Sequence, residues 1–210
     1  MALRAVVSDV GETLVAEGRM WTVWAEVSGV PAFTFMAALG AAIARGNHRE
    51  VFPLLGIDPE PLRPRLRARF GGYRPEDLYV DAAPTVLALR RSGYRVGVAG
   101  NQRAWATPAL RAAGLEAERY GTGEDWGVAK PDPRFFAQCC RLVEAAPAEV
   151  AYVGDDPVRD IAAARASGLA SIWVRRGPWA LLGDRAQAAR ADAAVDSLAQ
   201  LPGILPGLGA

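Results

Sequence analysis

Four stretches of this 210-residue sequence place chemistry-bearing side chains at or just past apolar runs. Ala5, Val6 and Val7 read as a buried strand and lead to Asp9. "VGVAGNQ" leads to Gly100 and Asn101, "GVAKPDP" carries Lys130, and "VAYVGDDPVRD" runs into Asp155, Asp156 and Asp160. A core carboxylate without a partner costs several kcal/mol, so Asp9 at a strand end demands an explanation. Asp155, Asp156 and Asp160 repel one another unless a hard cation holds them. Mg2+ takes one or two carboxylates together with waters and phosphate oxygens. If their strands run parallel, Asp9 and Asp155 reach one edge of the sheet and can share Mg2+. The second Asp9 oxygen is then a nucleophile toward phosphorus. Asp156, just before Pro157, also reads as a helix N-cap, and Asp160 suits the positive end of that helix. Capping does not account for Asp155.

Lys130 is the only lysine; the other 23 of the 24 basic residues are arginines. A compact ammonium is therefore expected to matter there, binding phosphate and orienting Asp9. Pro131 favours an extended Lys130. Gly100 allows a close backbone approach, and Asn101 either donates its amide to an oxyanion or caps the next helix.

These groups need a frame. Strands are expected over residues 3–9, in "YRVGVA", near Arg119–Thr122, in "EVAYVG" and "ASIWVRR", and near "ADAAV". Helices fall between them: over residues 84–92, before Gly114, after "KPDP", and over 157–167. Short apolar strands alternating with helices imply an α/β fold with a Rossmann-like parallel sheet sandwiched by helices. Residues 15–81 interrupt this pattern after the first strand. Most of them are helical, with Trp21, Trp24, Phe33, Phe35, Met36 and Ile43 at apolar positions. That segment reads as a helical cap over the ligand-binding edge, leaving 1–14 and 82–210 as the core.

A formal net charge of +1 gives no sign of capture by nucleic acid or membrane. No apolar stretch reaches the roughly 18–20 residues of a membrane span, and no signal peptide is visible, so a cytoplasmic location is expected. Adjacent Cys139 and Cys140 suit a reduced compartment and read as two small apolar residues on a helix. His48, in "RGNHRE", reads as a surface residue, and the arginines of "RPRLRARF" as a solvated helix face. Arg19, Trp21 and Trp24 either line a substrate pocket or belong to the core. "GTGEDWG" has the wrong glycine spacing for a dinucleotide loop.

The segments "SDVGETL", "VGVAGNQ", "GVAKPDPRFF" and "YVGDDPVRDIAAARASGL", in this order, resemble the haloacid dehalogenase superfamily of hydrolases. The resemblance implies a haloacid dehalogenase-like core with an inserted helical cap. It implies Asp9 as nucleophile, with Asp9, the Gly11 carbonyl, Asp155 and Asp160 around Mg2+. Lys130, Asn101 and Gly100 would face the phosphate, and Thr13 would support the first loop. The substrate implied is a small phosphorylated molecule. Two residues depart from the pattern. Phosphatases of this superfamily carry Asp two positions after the nucleophile, as acid and then base, where this chain has Gly11. They carry Ser or Thr where it has Gly100. General acid–base catalysis is worth about 10² to 10⁴ in rate, so Gly11 predicts slow hydrolysis of esters with poor leaving groups. Glu12 is one residue away and is a candidate substitute, although neighbouring residues point differently. Two alternatives stay open: a carbon–halogen hydrolase using the same Asp9, and a weakly active or non-catalytic homologue that binds a phospho-ligand or a protein.

Overall fold

The computed structural model describes residues 2–208. Six parallel strands form one sheet: β1 (Ala5–Ser8), β2 (Arg95–Gly100), β3 (Arg119–Thr122), β4 (Val150–Gly154), β5 (Ala170–Val174) and β6 (Ala193–Val195). Their order is β3-β2-β1-β4-β5-β6. All four residues of β1 are buried, as a central parallel strand covered on both faces requires. Side chains alternate between the faces. Ala5 and Val7 meet Phe135, Phe136 and Cys139 on one side, while Val6 joins Val96, Leu89 and Val153 on the other. Both cysteines are free and buried in the helix Pro133–Leu142, as small apolar residues.

The sheet reverses its winding at β1. From β1 the chain goes to β2 and β3 on one side, then returns to β4 on the other. Such a switch opens a crevice at the carboxyl ends of the strands. Ser8 pairs with Val98 and with Val153, so Asp9 emerges level with the ends of both neighbours.

Between β1 and β2 the chain is mostly helical. α1 (Gly18–Ser28) stops at Gly29, which takes the left-handed conformation with φ 71°. α2 (Ala32–Ala44) follows, and the helix Arg63–Phe70 packs on α1. Trp24, Phe35 and Phe52 form the aromatic centre of this segment, with Trp24 and Phe52 edge to face at 4.8 Å. The two passages into and out of it pair with each other. Val15 bridges Leu78 in antiparallel sense, the Ala16 N–H donates to the Asp77 carbonyl, and the Tyr79 N–H donates to the Leu14 carbonyl. Arg19 ties the same region together, binding the Asp77 carboxylate and the carbonyls of Phe70 and Gly72. It is a brace, not a wall of the pocket.

The expected helix over 157–167 differs in kind. Residues Pro157–Ala162 form a π-helix, and only Ala163–Ala166 are α-helical. In the wider turn the Ile161 N–H donates to the Asp156 carbonyl at 3.2 Å, and the Asp160 carboxylate accepts the Asp156 N–H at 3.0 Å. Among the described residues, no single helix is long and apolar enough to cross a membrane.

Candidate active site

Asp9, Lys130, Asp155 and Asp160 meet at the carboxyl edge, each nearly or fully buried. The Lys130 Nζ lies 2.8 Å from Asp9 Oδ1 and 2.6 Å from Asp160 Oδ1. The other Asp160 oxygen accepts the Asp156 N–H. Asp160 therefore serves first as the anchor of Lys130. This close approach depends on Gly154, where a Cβ would lie 2.3 Å from Asp160 Oδ2. Asp156 takes the cap role, accepting the N–H groups of Val158 and Arg159 at 2.8 Å each.

Asp155 is the incomplete member. Its Oδ1 accepts the Thr13 hydroxyl at 3.3 Å, but its buried Oδ2 has no partner. Burial, then the charges of Asp160 and Asp9, pushes its carboxyl well above the usual range. Burial likewise pushes Asp160 up to about 7, against the pull of Lys130. Burial works to lower the Lys130 ammonium, and the Asp160 and Asp9 carboxylates outweigh it, so its pKa rises. Carboxylate oxygens of Asp9, Asp155 and Asp160 lie within 4.8 Å of one another. One ammonium facing these carboxylates leaves negative charge uncompensated. An unpartnered oxygen in an all-oxygen donor set fits a hard divalent cation such as Mg2+.

Asn101 has a further task. Its Oδ1 accepts the Lys130 N–H at 2.7 Å and its Nδ2 donates to the Lys130 carbonyl at 3.0 Å. Both ends of the amide hold the lysine segment in place, while Asn101 also lines the cavity and keeps its second amide N–H for a ligand. Gly100 has no room for a side chain: a Cβ would lie 2.3 Å from Asp9 Oδ1 and 2.2 Å from Gln102 Oε1. Gln102 has moved into the place of the missing hydroxyl residue.

Gly11 has a similar neighbour. A Cβ there would meet Glu17 Oε1 at 2.5 Å. Glu17 is half-buried, and its Oε2 accepts the Trp21 indole N–H at 3.2 Å. Burial, reinforced by Glu12, pushes the Glu17 carboxyl up to about 7. Glu12 itself turns away. With φ 53°, it accepts the Glu17 N–H at 2.7 Å and the Tyr79 hydroxyl at 2.6 Å. Its carboxylate is committed to bracing the loop.

A cavity of about 950 Å³ opens over the edge, bounded by the sheet side and the helical segment. Asp9, Gly11, Lys130, Asp155 and Asp160 form its floor. Trp21, Trp24, Phe52, Phe70 and Trp105 give it an apolar wall, and Arg63, Arg67 and Arg103 reach it. Trp24 is thus both core and wall. His48 is half-buried rather than fully exposed. Its ring lies 5.6 Å from Trp21 and 5.7 Å from Trp179, against the same cavity, and its buried Nδ1 has no partner. The sequence reading passed over Glu17, Gln102, Trp179 and Arg159. Only the excess of carboxylates around a glycine where an acid is expected could have drawn attention to Glu17.

A family model described as haloacid dehalogenase-like hydrolase matches residues 3–168. A phosphoserine phosphatase of Thermus thermophilus is 32% identical over 172 residues, covering 78% of this chain and 66% of that protein. A phosphoglycolate phosphatase of Cupriavidus necator is 43% identical over 123 residues, covering 57% of this chain and 52% of that protein. The chain spans between half and two thirds of the length of these relatives. A solved dehalogenase structure superposes with a TM-score of 0.73 at 22% identity, covering 97% of both chains; that likeness is one of fold.

Proposed function

Because the chain belongs to the haloacid dehalogenase-like hydrolases, we propose that it is a Mg2+-dependent phosphatase of small phosphate esters, working through a phosphoryl group carried on Asp9. The observation that carries this reading is the buried Asp155 Oδ2, which has no partner beside Asp9 and Asp160. A carbon–halogen hydrolase of this superfamily needs no Mg2+, so a site suited to a divalent cation favours the phosphatase. The sequence relatives named as phosphatases support the same choice.

Asp9, Asp155 and the Gly11 carbonyl would hold the metal, with Asp160 behind them. Bound there, Mg2+ neutralises phosphate charge and lets an anionic nucleophile approach an anionic ester. An Asp9 oxygen bonds to phosphorus as the ester P–O bond breaks, and the departing oxygen takes a proton. Water then attacks the same phosphorus, the Asp9–phosphorus bond breaks, and inorganic phosphate leaves with Asp9 regenerated. Lys130 holds Asp9 Oδ1 at 2.8 Å and balances charge in both steps. Thr13 fixes Asp155 through its hydroxyl. Residues 15–81 act as the cap, and their aromatic wall suits an ester with an apolar body.

The test is phosphate release from p-nitrophenyl phosphate with and without Mg2+, with Asp9→Asn as control. This leaving group barely needs protonation, so Gly11 is no obstacle. Metal-dependent turnover that the variant abolishes is expected. Absence of turnover in the unaltered chain would overturn the phosphatase reading.

A further inference from the structure

We propose that Glu17 is the catalytic acid and base of this enzyme, standing in through space for the carboxylate that position 11 lacks. The inference rests on the phosphatase reading above and goes one step beyond it.

The argument is one of position. A Cβ built on Gly11 would lie 2.5 Å from Glu17 Oε1, 2.8 Å from its Cδ and 3.4 Å from Oε2. In an aspartate, Cβ and a carboxylate oxygen are about 2.4 Å apart by standard bond lengths. Glu17 therefore places a carboxylate oxygen at the distance from that point at which an aspartate at 11 would place its own. The glycine is what admits it, since any side chain at 11 collides with Glu17.

The carboxylate is also aimed and held. The Glu17 N–H donates to Glu12 Oε1 at 2.7 Å, and its Oε2 accepts the Trp21 indole at 3.2 Å. Among the described residues no hydrogen bond engages Oε1, which lies beside Gly11, and Glu17 lines the cavity shared with Asp9, Lys130 and Asp155. Glu17 caps the start of α1, so its backbone is fixed by a helix. The competing acid, Glu12, has both oxygens occupied and does not reach the cavity. The neighbouring departure follows the same rule: Gln102 fills the place left by Gly100.

In the first step Glu17, as the acid, gives its proton to the ester oxygen as the P–O bond breaks and the Asp9–phosphorus bond forms. As carboxylate it then takes a proton from the water that attacks phosphorus. The Asp9–phosphorus bond breaks, phosphate leaves, and Glu17 is protonated again.

The experiment compares p-nitrophenyl phosphate with phenyl phosphate, which differ little in shape. Phenol, with a pKa of about 10, leaves poorly without a proton. The full chain with Mg2+ is compared with Glu17→Gln, Glu17→Ala and the double variant Gly11→Asp/Glu17→Ala. Glu17→Gln should lower kcat/KM for phenyl phosphate by about 10² or more. First-turnover release of p-nitrophenolate should fall far less, and phosphorylated Asp9 should accumulate before slow steady-state turnover. Moving the carboxylate to position 11 should restore phenyl phosphate hydrolysis at least tenfold over Glu17→Ala, which no packing role of Glu17 explains. Equal losses on both substrates, or no loss on either, would overturn the proposal while leaving the phosphatase reading intact. No turnover of p-nitrophenyl phosphate by the unaltered chain would overturn both.

Discussion

The cavity has two sides built on different logic. On the sheet side, Asp9 and Asp155 directly follow strand ends, Lys130 and Asp160 reach them from a loop and a helical turn farther on, and the ion pairs are 2.6–2.8 Å long. Against these stand Glu17 and Gln102, which fill space beside Gly11 and Gly100, and His48, packed against Trp21 and Trp179. The sheet side owes its geometry to register: once Ser8 pairs with Val98 and Val153, Asp9 has one place to go. The other side owes its geometry to packing, where the absence of one Cβ decides where a side chain two to six positions along the chain can lie. A charge at a strand end is thus fixed by topology, whereas a substitute is admitted by a void.

The largest test of this contrast is Lys130→Ala. It leaves the wholly buried Asp160 without its cation, and breaking a buried pair in this way costs about 3–5 kcal/mol. Urea unfolding of the metal-free protein should show the loss, and Mg2+ should recover part of it by binding the same carboxylates. If Lys130→Ala is nearly neutral, the sheet side is held by packing after all, and the contrast fails.

Gly100→Ala tests the boundary between the two sides. The new methyl would meet Asp9 Oδ1 at 2.3 Å and Gln102 Oε1 at 2.2 Å. Overpacking of this kind costs about 1–3 kcal/mol, and a displaced nucleophile should lower kcat with p-nitrophenyl phosphate by roughly 10²-fold. Recovery in Gly100→Ala/Gln102→Ala would show that Gln102 is the part that yields; no recovery would place the strain on Asp9.

The smallest expected effect lies on the packed side. Burial, with the charges of Arg159 and Arg49, pushes the His48 imidazole down to about 4. An unfolded histidine titrates near 6.5, so the unfolded chain takes up this proton first. Stability from neutral His48 is complete above about pH 6.5 and is lost as pH falls toward 4. Between pH 7 and 5 the loss should be about 1–2 kcal/mol, with water in the cavity keeping it at the low end. His48→Phe keeps a ring between Trp21 and Trp179 and should flatten that part of the stability profile. An unchanged slope would return His48 to the solvent.

The same division explains what could be read in advance. Periodicity and punctuation in the chain located each strand within a residue or two, and the lone lysine and the "GDD" run pointed to the sheet edge. Asn101 was placed at the edge, but its clip on the lysine backbone was not legible, because two segments 29 residues apart must be seen together. Glu12 drew attention through its adjacency to Gly11, although its positive φ turns it toward Tyr79. Glu17 escaped because nothing in a linear spacing of six residues says that a carboxylate will fold back onto a glycine. The π-helical turn escaped as well, since the contact of Asp160 with Lys130 joins segments 30 residues apart.

The paired passages at Val15 and Leu78 carry one last consequence. Asp9, Lys130, Asp155 and Asp160 all lie on the sheet side of this short ribbon, and Glu17 lies just beyond it. Flexing at the ribbon would alter the reach from Glu17 to the nucleophile and leave the Lys130–Asp9 distance alone. On the proposed role of Glu17, the ribbon would thus couple how far the cavity is filled to how near the proton donor stands.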